Sequence, residues 1–524
     1  MDTSIRQVTT QATLEEKKKL KKEFKLFDMI FVTIAAIIGI DTLGAVSSNG
    51  AQALTWLLIS AVTFLIPYGL LTSELGSTFT QEGGVYEWVK LAFGRIPASF
   101  AAMLYWISNP LWVGGTLAVS AIAAIKLLWF QNANYQFFGS QTGNAVTEIV
   151  IALLFIWGVT WTAIMSLHVG KWLSVIGSYA KFALFALFVV LAIGYFAGGH
   201  ATGSHIAIGD IVPTGNLTFI FSAILPVLIF NWVGFELQNG AGEEMVDPQR
   251  DVPRSLIRAG IIAVIGYAIP ITVILFTLSK AQLSNASGFL KSYQIVTSIL
   301  PTQLATVLGW IVALAFVLGL ASSGGTWIIG ADRTYAIASL DRTAPVLLGR
   351  FSGRYGTPIA VNTMSGITAS IAMIAAVIIN TYFGSGSIAG LFGLVLGFVI
   401  STTTLSYLFI FPAYLALRIK YPNVHRPFVV PGGMAGAVIA TVLTFLYAAV
   451  ASIFLLWPTD SAIASSGFDR TTYELANFIP LAVIALLTII FYVWGHAEKR
   501  NADVVIDYNM ATQVERVEGV GGGE

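Results

Sequence analysis

Long apolar runs separated by short polar stretches fill most of this chain. A helix that crosses a bilayer needs about 20 predominantly apolar residues. Twelve runs meet that length: 28–47, 53–75, 98–127, 146–166, 172–197, 216–241, 254–279, 303–333, 359–380, 386–414, 434–457 and 475–495. The pattern predicts an all-α polytopic membrane protein with twelve transmembrane helices. The third and eighth runs are longer than needed, which predicts tilt or extension past the membrane. Residues 80–92, with Gly83-Gly84 and Tyr86-Glu87-Trp88, read as a short interfacial segment, and 340–348 as another. Residues 1–27 and 496–524 read as polar, flexible tails, and the Gly-rich stretch 519–523 is expected to pack against nothing.

Two runs are interrupted by residues that a lipid-facing helix avoids. The sixth holds Phe230-Asn231-Trp232-Val233-Gly234-Phe235-Glu236, followed by Gly240, Gly242 and Glu243-Glu244. The first holds Ile38-Gly39-Ile40-Asp41-Thr42-Leu43-Gly44. An unpaired polar group in hydrocarbon costs on the order of 2–7 kcal/mol. Broken helices survive at membrane depth where they line a protected cavity, and secondary transporters build substrate sites from them. Half-helix N-termini suit anionic groups and carbonyl ends suit an ammonium, a combination that matches a zwitterion. The candidate substrate-binding residues are therefore Ile38, Gly39, Ile40, Asp41, Thr42 and Gly44 at the first break, and Phe230, Asn231, Trp232, Gly234 and Phe235 at the second. Trp232 and Phe235 read either as lids that stack on an amine or as plain packing.

Composition and charge narrow the class. Charged residues make up 10% of the 524, against about 25% in a soluble domain. With twelve helices both termini share one face. That face collects all 28 Lys and Arg except Lys126, Lys280, Lys291 and Arg470 on the other face and Lys181 inside the fifth run. This is the positive-inside bias, which predicts cytoplasmic termini and the plasma membrane. Lys17, Lys18, Lys19, Lys21, Lys22 and Lys25 read as a topology signal in contact with anionic lipid. A net charge of +1 gives no sign of nucleic-acid binding. There are no cysteines, and the five histidines (His168, His200, His205, His425 and His496) lack ligand spacing, so neither a metal nor a cofactor is expected. The loops are too short to fold alone and carry no catalytic cluster, so an enzyme is not expected. No phosphate-binding loop is present for ATP.

An ordered set of motifs resembles the amino acid–polyamine–organocation (APC) superfamily. Gly234-Phe235-Glu236, Glu243-Glu244 and Asp247-Pro248-Gln249-Arg250-Asp251-Val252-Pro253 resemble its sixth helix and following loop. Arg333, Tyr335, Ala336 and Ala338, with Asp341, Pro345 and Thr357-Pro358, resemble the loop after its eighth. Ala36-Ile37-Ile38-Gly39 resembles the start of its first-helix break, and Glu74 with Glu82-Gly83-Gly84 and Tyr86 its next motif. The stretch from Gln81 to Val89 is similar to the glutamate/GABA antiporter-like subgroup. The resemblance implies an inverted repeat, helices 1–5 (28–197) and 6–10 (216–414), with helices 11–12 (434–495) outside it. It implies alternating-access transport of amino acids or related amines, by proton symport or by exchange. A polyamine or cationic amine carrier is the alternative within transport, and an inorganic cation importer a further one.

One departure concerns the first break. The family's Gly-x-Gly pattern, whose free N–H groups take a substrate carboxylate, is replaced here by Gly39-Ile40-Asp41-Thr42-Leu43-Gly44. Three readings of Asp41 stay open: gating or proton coupling, binding of a substrate amine, or capping of the second half-helix. Two further residues are candidates for proton coupling. Glu236 is a mid-membrane carboxylate beside the second break. Lys181, in Ser174-Val175-Ile176-Gly177-Ser178-Tyr179-Ala180-Lys181-Phe182, resembles a fifth-helix lysine that occupies the sodium position of sodium-coupled relatives. Desolvation favours a neutral amine, so such a lysine can release its proton during transport; the alternative is a fixed charge that satisfies carbonyls of helix 1 and Ser322 or Ser323. Glu243, Glu244 and Arg250 read as gate or structural ion pairs. Tyr105, Trp106, Asn109 and Trp327 are placed near the pocket by the resemblance alone.

Overall fold

The computed structural model describes residues 4–509 and 514–520 apart from positions 166, 201, 204, 205, 207, 214–216, 284–286, 384–387, 461, 462, 464–467, 499 and 500. Among the described residues, eleven helices are long and apolar enough to cross a membrane. The remaining expected crossing, the first, is split. It consists of α1 (Leu26–Ile37) and the short α2 (Leu43–Ser47), with non-helical backbone between them. The chain continues through α3 (Gln52–Thr78), the interfacial α4 (Val85–Phe93), α5 (Arg95–Trp129), α6 (Gln141–Met165) and α7 (Gly170–Ala197). The sixth crossing is split as well, into α8 (Leu225–Trp232) and a 3-10 turn, α9 (Leu237–Glu244). Then follow α10 (Pro248–Thr277), a short helix α11 (Gly288–Thr297), α12 (Thr302–Ala338), α13 (Ile359–Phe383), α14 (Ile388–Lys420), α15 (Gly433–Leu456) and α16 (Arg470–Ala497).

Burial sorts these helices into centre and rim. The apolar window of α5 is 94% buried and that of α16 only 17%, so α5 is a central post and α16 faces lipid. On α10 the exposed isoleucines Ile257, Ile261, Ile265 and Ile269 recur every four residues, a stripe that one helix face turns to hydrocarbon. α12 packs on α7, α5 and α6, and α10 packs on α1 and α3. The two split helices therefore sit between the long ones.

The expectation of flexible tails is corrected. Strands β1 (Ser4–Thr10), β2 (Asp503–Asn509) and β3 (Val514–Val520) form an antiparallel sheet in the order β1-β2-β3, pairing Ile5 with Tyr508 and Thr10 with Asp503. Both termini thus lie on one face. The cause is a period-two alternation that composition conceals: Ile5, Gln7 and Thr9 point inward from β1, and Val504, Ile506 and Tyr508 from β2. Polar contacts dock the sheet on the bundle. Arg95 holds Asp503 with two hydrogen bonds (2.9 and 3.0 Å), and Thr10 Oγ1 and Asn501 Nδ2 both donate to the Leu340 carbonyl (2.7 and 2.6 Å). Thr80 and Tyr508 share a hydroxyl hydrogen bond of 2.7 Å. Residues 521–523 of the Gly-rich end lie outside the described residues.

Asp503→Asn keeps the size of the side chain but loses the paired charge. It is expected to loosen the sheet, seen as several-fold faster tryptic cleavage at Arg516 with unchanged thermal unfolding of the helical bundle.

Candidate functional site

The last carbonyls of a helix have no intrahelical partner. At the first break, each of the four from Ala35 to Ile38 receives a side-chain donor. Lys181 Nζ, from α7, donates to Ala35 O (3.0 Å), Ile38 O (2.7 Å) and Ser323 Oγ of α12 (2.7 Å). Ser323 Oγ donates to Ala35 O (2.9 Å) and Trp327 Nε1 to Ala36 O (3.1 Å). The Tyr267 hydroxyl of α10 donates to Ile37 O (2.7 Å) and accepts from the Gly39 N–H (2.8 Å). Lys181 is fully buried. A lysine at a helix centre costs about 2.5–3.5 kcal/mol to insert. Hydrogen bonds to a charged group contribute about 1.5–3 kcal/mol each, so three of them outweigh that cost.

Asp41 lies just beyond, buried between the two half-helices. Its Oδ2 accepts from Trp112 Nε1 (3.0 Å) and Thr116 Oγ1 (2.8 Å) of α5, while Oδ1 has no hydrogen-bond partner. Neither oxygen bonds the backbone of α2, whose N-cap is Thr42, so the capping reading drops out. A Cβ placed on Gly39 would lie 3.1 Å from Asp41 Oδ1 and 3.3 Å from Thr42 Oγ1. Gly39 and Thr42 line a small cavity together with Ala36, Ile37, Trp112, Phe230, Asn231, Val233, Tyr267 and Trp327. The Trp112 ring stands edge-on to Phe230 (5.7 Å) and to Trp327 (6.0 Å). Both amide atoms of Asn231 are buried without a partner. The space is tight, with about 10 Å³ open to a water-sized sphere, room for roughly one water molecule.

The second break is shaped by Gly234. Val233 is extended and Gly234 has φ +119°, a conformation that L side chains rarely adopt. The freed N–H groups of Gly234 and Phe235 both donate to the Tyr68 hydroxyl (3.0 Å each), which in turn donates to Glu236. The Tyr407 hydroxyl of α14 donates to Glu236 Oε1 (2.7 Å). Glu236 therefore orients the unwound backbone through one tyrosine and reaches α14 through another. Trp232 and Phe235 point away from the cavity. Trp232 Nε1 donates to Ser60 Oγ (2.9 Å), and the Phe235 ring packs on Tyr68 (5.3 Å).

On the face that holds the termini, buried ion pairs close the bundle. Arg333 of α12 donates through Nε to Glu244 Oε2 (2.8 Å) and lies 3.7 Å from Glu82 Oε1. Glu82 Oε2 accepts from the Glu243 N–H (3.1 Å), and Lys17 pairs with Glu243 (2.6 Å). Gly84 allows this closure: its φ is +42°, and a Cβ there would sit 2.8 Å from the Asn239 backbone. The expected pairing with Arg250 is corrected. Pro248 starts a new helix, and Arg250 is exposed on its first turn, so Arg333 and Lys17 supply the cations instead. Burial, and then the adjacent Glu244 charge, push the Glu82 carboxyl well above the usual carboxylate range, although Arg333 opposes them.

The family model described as amino acid permease matches residues 24–493. The chain belongs to the amino acid permease family. Among curated proteins it is 26% identical to the probable agmatine/putrescine antiporter AguD of Lactococcus lactis subsp. lactis, over 90% of this chain and 94% of that one. It is 22% identical to the glutamate/gamma-aminobutyrate antiporter of the same organism (93% of each) and 26% identical to the aspartate/glutamate permease AcaP of Lactococcus lactis subsp. cremoris (92% and 97%). As a member of this family, the permease is a secondary transporter of amino acids or related amines.

Of the residues anticipated at the permease cavity, Gly39, Thr42, Phe230 and Asn231 line it and Asp41 adjoins it. Ile38 contributes its carbonyl to Lys181; Ile40 packs toward Gly319 and Gly44 against Gly288. Trp106 faces Tyr335 and Ser365 rather than the cavity. Trp112, Thr116, Tyr267, Tyr68 and Tyr407 were not anticipated. The signal for the first two was present: Tyr105, Asn109, Trp112 and Thr116 fall at i, i+4, i+7 and i+11, one polar-tipped stripe on α5.

Because the folded permease holds the Glu82 proton more tightly than the unfolded chain does, this carboxyl contributes full stability below the usual carboxylate range. That contribution is lost as pH rises through its elevated pKa. Glu82→Gln is expected to flatten the alkaline fall in thermal stability; an unchanged slope would show that Glu82 is ionised throughout.

Proposed function

We propose that this permease carries small cationic amines, and that Asp41 is the ligand for the substrate ammonium. The carrying observation is the free Asp41 Oδ1, buried beside the cavity while Oδ2 is fixed by Trp112 and Thr116. An acceptor oxygen buried without a donor is costly, and a charged N–H of the substrate would satisfy it. The cavity's aromatic walls suit a cation. A carboxylate ligand fits less well, since the Gly39 N–H is already committed to Tyr267. The agmatine/putrescine antiporter relative supports the same class, and also supports exchange as the mode.

The remaining parts of the proposal stand beside the substrate assignment. The face with the termini is the cytoplasmic one, supported by its excess of Lys and Arg. Arg333, Glu244 and Glu82 form the cytoplasmic gate. Lys181 and Glu236 are the groups that couple proton movement to the two breaks. Helices 1–5 and 6–10 form the inverted repeat.

The test is counterflow into proteoliposomes in sodium-free buffer, with labelled putrescine, agmatine, glutamate, GABA and neutral and basic amino acids. Uptake of putrescine or agmatine is expected, and Asp41→Asn should lower it about 10–100-fold, the loss of a charged hydrogen bond of about 1.5–3 kcal/mol. Uptake confined to glutamate or neutral amino acids, with Asp41→Asn unimpaired, would overturn the assignment.

A further inference from the structure

Asp332 of α12 is a buried carboxylate that neither the cavity nor the gate uses. It has no exposed surface. Its Oδ1 accepts one hydrogen bond, from Ser365 Oγ of α13 (2.7 Å), and Ser365 Oγ accepts from Trp106 Nε1 of α5 (2.9 Å). Ser365 has one hydroxyl proton and gives it to Asp332, so the relay runs in one direction, from Trp106 through Ser365 to Asp332. Asp332 Oδ2 has no hydrogen-bond partner and no access to solvent.

No cation compensates this group among the described residues. Arg333, its neighbour in the chain, turns to Glu244, Glu82 and the carbonyls of Ile329 and Gly356. It is the one charged group that acts electrostatically on Asp332. On the elements packed around α12, Lys181 is bound to Ser323, and Lys90 and Arg95 are bound to Asp341. The phenols of Tyr105 and Tyr335 are neutral, and Tyr335 stacks on Trp106 (5.1 Å). An ionised carboxylate in such a site would rest on neutral donors alone, Ser365 directly and the Trp106 N–H beside it, too little against the cost of burying an unpaired charge. The uncharged acid has no such cost. Ionisable groups kept inside a membrane bundle at this expense mark proton or substrate pathways.

We propose that Asp332 is a further proton-binding site of the permease, outside the substrate cavity, at the junction of α5, α12 and α13. With the proton on, the carboxyl stays buried at the junction. Loss of the proton breaks the carboxyl O–H bond; the proton passes to water, the electron pair stays on Asp332, and the charge left behind requires the junction to open to water. α12 carries Ser323 and Trp327 at the first break and Arg333 at the gate, so a shift at Asp332 reaches both. The inference rests on the transporter reading but not on which substrate is carried.

The test uses the full-length protein in liposomes, comparing wild type with Asp332→Asn, which mimics the neutral acid. At neutral pH the wild-type-minus-variant infrared spectrum should show one protonated-carboxyl band that disappears on alkaline titration. Thermal stability of the wild type should fall across the same pH step, and that fall should be lost in D332N. Putrescine counterflow should slow across the step in wild type and stay at its acid-pH rate in D332N. Should D332N fail to fold, Ser365→Ala removes the direct hydrogen bond that supports the ionised form and should move the stability step to higher pH. Ionised-carboxylate bands at neutral pH, or pH profiles identical in wild type and variant, would overturn the proposal. If wild type does not carry putrescine, the substrate assignment fails, and the infrared and stability arms still decide Asp332.

Discussion

Everything near the centre of this bundle depends on the Lys181 ammonium and the three oxygens it holds. Breaking a helix inside a membrane exposes carbonyls that no water can satisfy. Here the break in the first crossing is tolerated because α7, α10 and α12 supply a donor to every carbonyl from Ala35 to Ile38. The partial negative charge at the end of α1 and the positive charge of Lys181 favour one another. A buried cation with three acceptors clamps α1, α7 and α12 together, and the cavity is the space left in front of that clamp.

α12 connects the parts. Ser323 and Trp327 reach the break, Gly330 packs against Leu237 beside the second break, Asp332 faces α13, and Arg333 closes the gate. Residues within ten positions of one another on a single helix thus touch both half-helix breaks and the ion pairs below them. The terminal sheet adds a further contact, since Thr10 and Asn501 hold the Leu340 carbonyl just after α12 ends. Movement of this one helix relative to α1 and α9 would be felt at each of these sites.

The apolar runs, the two breaks and the buried position of Lys181 were legible because each leaves a local mark: length, glycine with carboxylate, or a charge where none is tolerated. Partners across the bundle left no such mark. Tyr267 and Trp112 are ordinary residues for a membrane helix, and only the packing of α10 and α5 shows that they bond Ile37 and Asp41. Arg250 lay near Glu244 in sequence, yet a proline-started helix turns it to solvent and Arg333, 89 residues further on, takes the carboxylate. The tails were misread because composition outweighed alternation: Asp503-Val504-Val505-Ile506-Asp507-Tyr508-Asn509 alternates correctly for a strand, but its partner lies at the opposite end of the chain.

The measurement that bears most directly on this account is transport by Lys181→Met in proteoliposomes, with counterflow and accumulation driven by an inward proton gradient measured on the same preparation. If the ammonium both clamps the break and carries the coupled proton, gradient-driven accumulation is lost while counterflow continues at a reduced rate. Accumulation at the wild-type level would contradict the account, because the break would then be held and coupled by something other than Lys181.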